Sequence, residues 1–101
     1  MHPDASWYLV CYDISEDAVR TQVYKKLRGY GEHLQYSVFR CALTPLRLAT
    51  LRAYLEEQVC WTTDQVILLK LGRASANSSW DALVVGKPLP PIHRGARIFG
   101  D

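Results

Sequence analysis

WYLVCYDIS, residues 7–15, is the stretch on which the fold turns. Aromatic and β-branched residues dominate it, as they do in strands. Alternation puts Tyr8, Val10, Tyr12 and Ile14 on one face and Trp7, Leu9 and Cys11 on the other, so both faces of this first strand are apolar. The run ends on a carboxylate, Asp13, just before a helix pattern starts. Ser15 stands where an N-cap belongs, Glu16 and Asp17 put negative charge in the first turn, and Val19, Val23 and Leu27 repeat every four residues. Lys25, Lys26 and Arg28 fall in the last turn, where cations suit the helix dipole, and Gly29 or Gly31 can supply a left-handed stop.

Outward from this unit, residues 33–43 are strand-like again, with Gln35, Ser37, Phe39 and Cys41 on one face and Leu34, Tyr36 and Val38 on the other. They form one bent strand or a tight hairpin. Thr44 followed by Pro45 marks a helix start, and the helix runs to about Val59, burying Leu48, Leu51 and Leu55. Residues 65–71, QVILLKL, are the next strand. Gly72 opens a polar loop, ASANSS, that leads into a Pro-rich tail. This order predicts an α+β ferredoxin-like βαββαβ sandwich, residues 1–78, with two helices on one face of an antiparallel sheet. Residues 79–101 are a C-terminal tail or extension strand.

Such a sheet should be polar on its open face, yet residues 7–11 and 66–69 are apolar on both. Something covers the second face. A second copy of the chain, packed sheet to sheet in a homodimer, is one cover; the Pro-rich tail folding back is the other, and the tail can also cross onto the partner's sheet.

Composition sets the outer bounds. With 101 residues, 49% of them hydrophobic, the chain supports one compact core. No stretch reaches the roughly 18 apolar residues of a membrane span, and MHPDAS has no signal-peptide character, so a cytoplasmic, membrane-free protein is expected. Three widely spaced cysteines, Cys11, Cys41 and Cys60, make neither a disulfide framework nor a zinc cluster and read as reduced, mostly packed thiols. A net charge of +2 permits a local basic patch without naming its partner.

YLVCYDISED followed by Arg20, then GYGEHLQYSVFRCALT, then a helix and a short apolar strand, resembles the smaller of the two universal CRISPR adaptation proteins, the CRISPR-associated Cas two family. The resemblance covers residues 7–72 and rests on the joint order of the strand ending YDI, the arginine seven positions after Asp13, and Tyr30, Gly31, Gln35, Ser37, Val38 and Phe39. It implies a ferredoxin-like fold, a sheet-to-sheet homodimer, a divalent metal between subunits, and a part in spacer acquisition alongside a dimeric integrase, in a heterohexameric complex. It also implies a metal-dependent endonuclease acting on RNA or duplex DNA, an activity weak or vestigial in some members.

An aspartate at the end of a strand emerges at the edge of the sheet, and near a two-fold axis Asp13 would approach its twin. Two close carboxylates repel unless a cation sits between them. Mg²⁺, or Mn²⁺ in its stead, accepts one or two carboxylates, keeps waters and can bind a substrate phosphate. The plainer reading is that Asp13 caps helix one together with Ser15; the resemblance favours the metal role. Arg20 matches the family arginine and could otherwise pair with Glu16 at i, i+4. By the same resemblance Tyr12, Ser37 and Phe39 correspond to positions near the metal cleft and join Asp13 and Arg20 as catalytic candidates, though Phe39 can also be simple packing. At His33 some relatives carry arginine, and a neutral imidazole would weaken a phosphate grip.

Arg20, Lys25, Lys26, Arg28, His33 and Arg40 are the candidate nucleic-acid contacts, with Arg47, Arg52, Arg73, Arg94 and Arg97 as further basic positions. Doubled in a dimer, they could track duplex phosphates without reading sequence. His2 and His93 are assigned nothing. RGYG at 28–31 copies the start of an RNA-recognition signature but lacks the aromatic and valine that should follow. Two other classes remain in view: a toxin-type ribonuclease of the VapD kind, and a non-catalytic ferredoxin-like interaction module.

Overall fold

The computed structural model describes residues 4–74 and 82–92. β1 (Ser6–Asp13), α1 (Asp17–Arg28), β2 (Gly31–Gln35), β3 (Val38–Leu43), α2 (Pro45–Gln58) and β4 (Gln65–Arg73) follow in that order. The four strands form one antiparallel sheet in the order β2-β3-β1-β4, so the first strand lies inside the sheet and the last at its edge. This is the ferredoxin-like α+β arrangement, reached because the strand with two apolar faces gains most from an interior position.

One face of the sheet meets both helices. Tyr8, Val10, Tyr12 and Ile14 from β1 and the loop after it, Phe39, Cys41 and Leu43 from β3, Val23 and Leu27 from α1, and Leu51 and Leu55 from α2 form a continuous buried core. Val19 and Leu48 pack against it half-buried. Thr44 caps α2, its hydroxyl accepting from the Arg47 N–H at 3.2 Å, with Pro45 in the first turn.

α1 departs from the expected capping. Its N-cap is Glu16, with no side-chain cap: the Ser15 hydroxyl turns away to the Thr63 carbonyl at 3.4 Å, and the Ser15 N–H donates to Asp64 Oδ1 at 3.0 Å. Nor does a left-handed glycine stop it: Gly29 is right-handed, and its N–H and that of Tyr30 bond the carbonyls of Lys26 and Leu27 to tighten the last turn. Gly31 serves a different need. A Cβ there would stand 2.0 Å from the Arg40 carbonyl oxygen and 2.8 Å from Cys41 Sγ, so only glycine lets β2 lie this close to β3.

Residues 33–43 resolve as a hairpin with a two-residue turn, Tyr36 and Ser37. Tyr36 takes a left-handed φ of 29°, which costs a non-glycine residue about 1–2 kcal/mol. At the other end, β4 runs through Gly72 to Arg73, so Gly72 does not open the loop. Its φ of 134° coincides with the register shift between Trp7 and Tyr8, where β4 carries an extra residue. The greater part of the ASANSS loop, together with His2, His93, Arg94 and Arg97, lies outside the described residues. Among described residues 82–92 no strand forms; Pro88, Pro90 and Pro91 have no N–H to give a ladder. No helix among the described residues is long and apolar enough to cross a membrane.

Among the described residues, the second face is covered on one side only. Trp7 is buried with Ala5 and Ala74, and Ala42 and Ile92 pack against them. Beside this cluster the Arg40 side chain, 2% exposed, pairs with Glu32 at 3.4 Å and donates to the Pro90 carbonyl at 2.7 Å. Residues 89–92 therefore cross the β3 side of the sheet as a strap. On the β4 side, Ile67, Leu69 and Leu71 stay 49%, 52% and 41% exposed, with Leu9 and Cys11 half-buried next to them.

Arg40→Ala should cost about 3–5 kcal/mol in urea denaturation, because Glu32 is left charged and buried without its guanidinium. Replacing both partners with apolar residues, Glu32→Leu with Arg40→Met, should restore most of that loss. Equal destabilisation by the single and double variants would show that the pair is not the source of the effect.

Candidate functional site

Asp13 is the last residue of β1, paired in register with Gln65 of β4. It is exposed, and among the described residues no side chain or backbone group bonds its carboxylate. Alternation from Leu9 and Cys11 puts Asp13 on the outer face, at the end of the uncovered apolar strip. It does not cap α1.

Two contacts fix the loop that follows. Arg20 donates through Nη1 to the Ile14 carbonyl at 2.8 Å and through Nη2 to Asp17, so its ion-pair partner is Asp17 and not Glu16. Asp64, before β4, accepts from the N–H of Cys60 at 2.8 Å and from that of Ser15 at 3.0 Å, and from the Thr63 hydroxyl at 3.1 Å. The Cys60 amide and then the Ser15 amide hold its carboxyl below the usual carboxylate range. One carboxylate thus fastens the end of α2 to the loop after β1.

The other catalytic candidates separate by face. Tyr12 and Phe39 lie on the helix side, 6% and 0% exposed, with ring centroids 6.3 Å apart. Burial raises the Tyr12 hydroxyl, the nearby Tyr24 adds to this, and Arg20 opposes it. Ser37 is half-buried, and its carbonyl accepts from the Tyr12 N–H at 3.0 Å, which ties the hairpin turn to the end of β1. The structure brings Asp13, Arg20 and the Tyr36–Ser37 turn to one end of the sheet and puts Phe39 in the core beneath.

The basic candidates also divide. Lys25, Lys26 and Arg28 line the exposed last turn of α1, Lys26 Nζ lying 5.1 Å from the Tyr54 ring centroid and Arg28 bonding the Tyr24 hydroxyl at 3.2 Å. Arg40 leaves the phosphate-facing set, because its guanidinium is closed to solvent by Glu32 and Pro90. His33 packs between Tyr24 and Phe39, at 5.2 and 5.1 Å, and bonds the Tyr36 carbonyl at 2.7 Å. Arg47 lies 4.6 Å from the Tyr30 ring centroid, and Arg52 pairs with Glu56.

Of the thiols, Cys41 is buried, and that burial, with Glu32 nearby, pushes it up to about 12, Arg47 opposing. Cys60 is exposed and not packed; hydrogen bonds with the side chains of Thr62 and then Thr63 lower it to about 7. Sequence reading also missed a pocket of about 470 Å³ between α2 and β4, lined by Tyr8, Leu48, Leu55, Val59 and Leu68, by the exposed Trp61, and by the polar Arg52, Glu56, Asp64 and Gln65. No helical period runs across the α2–β4 loop, so nothing in the sequence pattern links these residues.

No group of three or more His, Cys, Asp or Glu side chains among the described residues could hold a metal ion. Mg²⁺ is commonly held by only one or two carboxylates, and a second copy of the chain could add its own Asp13 to this one.

The family model for CRISPR associated protein Cas2 matches residues 6–78. The chain belongs to the Cas2 family. A protein of Thermodesulfovibrio yellowstonii named CRISPR-associated endoribonuclease Cas2 2 is 39% identical over 92 residues, which is 91% of this chain and 94% of that one. Another of Rhodospirillum rubrum, CRISPR-associated endoribonuclease Cas2 1, is 40% identical over 91% of this chain and 89% of its own. Among solved structures, a hypothetical protein from Thermus thermophilus superposes with a TM-score of 0.68 at 28% identity, covering 85% of this chain and 99% of that one. Streptococcus pyogenes Cas2 at pH 6.5 gives 0.61 at 28% identity over 65% and 86%.

Asp64 generates a pH prediction. Its folded pKa is depressed, so its contribution to stability is present above the ordinary carboxylate value and lost as pH falls below that value through the folded one. Asp64→Asn should therefore lower the melting temperature at neutral pH, and the gap to the parent should close in acid. A gap of constant size across that range would refute the assignment.

Proposed function

We propose that this Cas2 chain works as a homodimer in CRISPR adaptation, binding nucleic-acid backbone and bridging integrase dimers, with Mg²⁺-dependent phosphodiester hydrolysis of RNA or duplex DNA. The observation that carries this reading is an exposed, unengaged Asp13 at the end of an uncovered apolar strip. A second copy laid on Leu9, Cys11, Ile67, Leu69 and Leu71 would remove that strip from water and bring two aspartates together. Family membership and the endoribonuclease names of the relatives support the nuclease half.

In this reading the Asp13 carboxylates of the two copies hold the ion. A bound Mg²⁺ supplies charge neutralisation at the phosphoryl oxygens and an acidified water. Arg20 acts through the loop, holding the Ile14 carbonyl so that the residues after Asp13 keep one path. Lys25, Lys26 and Arg28 draw in phosphates, with affinity that falls as salt rises. Tyr12 and Phe39 support the strand ends from the core side. The tail segment 82–85, with Leu83 96% and Val85 93% exposed, is the part of the chain offered to the dimer partner or to an integrase.

Asp13→Ala should reduce metal-dependent cleavage of a labelled RNA or duplex about a hundredfold or more while the protein stays dimeric. Cleavage at the parent rate would remove the catalytic assignment and leave the scaffold role. Leu69→Lys tests the interface separately. A lysine buried there without a partner should weaken self-association about a hundredfold or more in sedimentation, with the circular dichroism spectrum unchanged. A variant as dimeric as the parent would show that this strip is not where the copies meet.

A further inference from the structure

Tyr36 occupies a position that neither the turn nor the core calls for. Two-residue hairpin turns favour Asn, Asp or Gly, which enter the left-handed region at little cost. Here that region holds a tyrosine, with φ 29° and 94% of its surface exposed. Among the described residues the ring packs on nothing that would offset the backbone strain. Such a conformation persists only where its surroundings hold it, and such positions cluster at functional sites.

The surroundings do hold it. His33 Nε2 bonds the Tyr36 carbonyl at 2.7 Å, and His33 is itself wedged against Tyr24 and Phe39. The next carbonyl, that of Ser37, accepts from the Tyr12 N–H at 3.0 Å, and Val38 pairs with Cys11. The turn is thereby fixed against the last residues of β1, and Tyr12 is the neighbour of Asp13. A solvent-facing aromatic ring carried on this fixed backbone stands at the same end of the sheet as the exposed carboxylate.

An aromatic ring on a fixed backbone presents a π-face that stacks on any base, whatever the sequence, provided the base is not already stacked in a duplex. We propose that Tyr36 is a stacking platform for an unpaired nucleobase, placing the adjoining phosphate toward Asp13. This rests on the reading of the chain as a nucleic-acid-binding protein and deepens it: the substrate is a single strand or a frayed end at the point of contact. The ring makes no use of the sugar, so DNA and RNA strands of the same sequence are held alike by this contact.

The test measures binding by fluorescence anisotropy in EDTA, so that cleavage does not intervene, using a short labelled oligothymidine, the matching oligouridine and a blunt duplex. Tyr36→Gly should weaken both single strands about tenfold, within the range of one base–aromatic stack, and leave the duplex unchanged. The same variant should melt at a higher temperature than the parent, since glycine relieves the left-handed strain, so lost binding could not be put down to lost folding. Tyr36→Phe and Tyr36→Trp should bind like the parent.

Parent-like single-strand binding by Tyr36→Gly would overturn the proposal and leave the ring as a contact for a protein partner or none. A loss as large in Tyr36→Phe as in Tyr36→Gly would also overturn it, because the hydroxyl and not the ring would then carry the contact. Failure of the parent chain to bind any of the three probes would instead remove the nucleic-acid reading itself.

Discussion

The structure depends on one constraint: β1 is apolar on both sides and must be shielded on both. The helix side is met from within by α1 and α2, whose leucines and valines close over Tyr8, Val10 and Tyr12. The outer side is met only in part. Residues 89–92 cross the Trp7 side, held by the buried guanidinium of Arg40, and among the described residues nothing covers the β4 side. Placing a charged pair under the strap fixes where the tail can lie, since the Pro90 carbonyl gives Arg40 a hydrogen bond that a displaced tail would not. What remains uncovered is thus a bounded strip, and Asp13 marks its end.

The candidate site is held at its backbone, by two side chains and one neighbouring carbonyl. Arg20 grips the Ile14 carbonyl, Asp64 grips the Ser15 amide, and the Ser37 carbonyl grips the Tyr12 amide. Asp13 itself is left unengaged while residues on both sides of it are fixed. This arrangement suits a ligand-binding carboxylate, because its supports are already spoken for and binding need not break any of them.

Much of this was legible in the sequence, and the failures have physical reasons. Period-two alternation in residues 7–14 and the four-residue repeat of Val19, Val23 and Leu27 located β1 and α1, and Thr44-Pro45 located the start of α2. Local sequence shows that Ser15 can cap α1 but not that the loop before β4, 48 and 49 positions away, takes both its hydroxyl and its amide. Arg40 looked like one more surface cation; its burial depends on Glu32 across the hairpin and on a carbonyl in the tail, and neither is a local signal. Gly72 reads as a loop opener in any sequence pattern, and only the extra residue opposite Trp7 and Tyr8 shows why a strand needs it. For Tyr36 alternation assigns a face but does not reveal a backbone angle.

The strand order has a temporal consequence. Among the described strands β1 is made before the others, yet one of its two neighbours, β4, is made last of them. Until residue 73 has emerged, the nascent chain carries a half-built sheet with an unpaired edge and a hydrophobic flank beside it. Closing the sheet must wait for this long-range pairing of β1 with β4, so the pace of folding is set by topology.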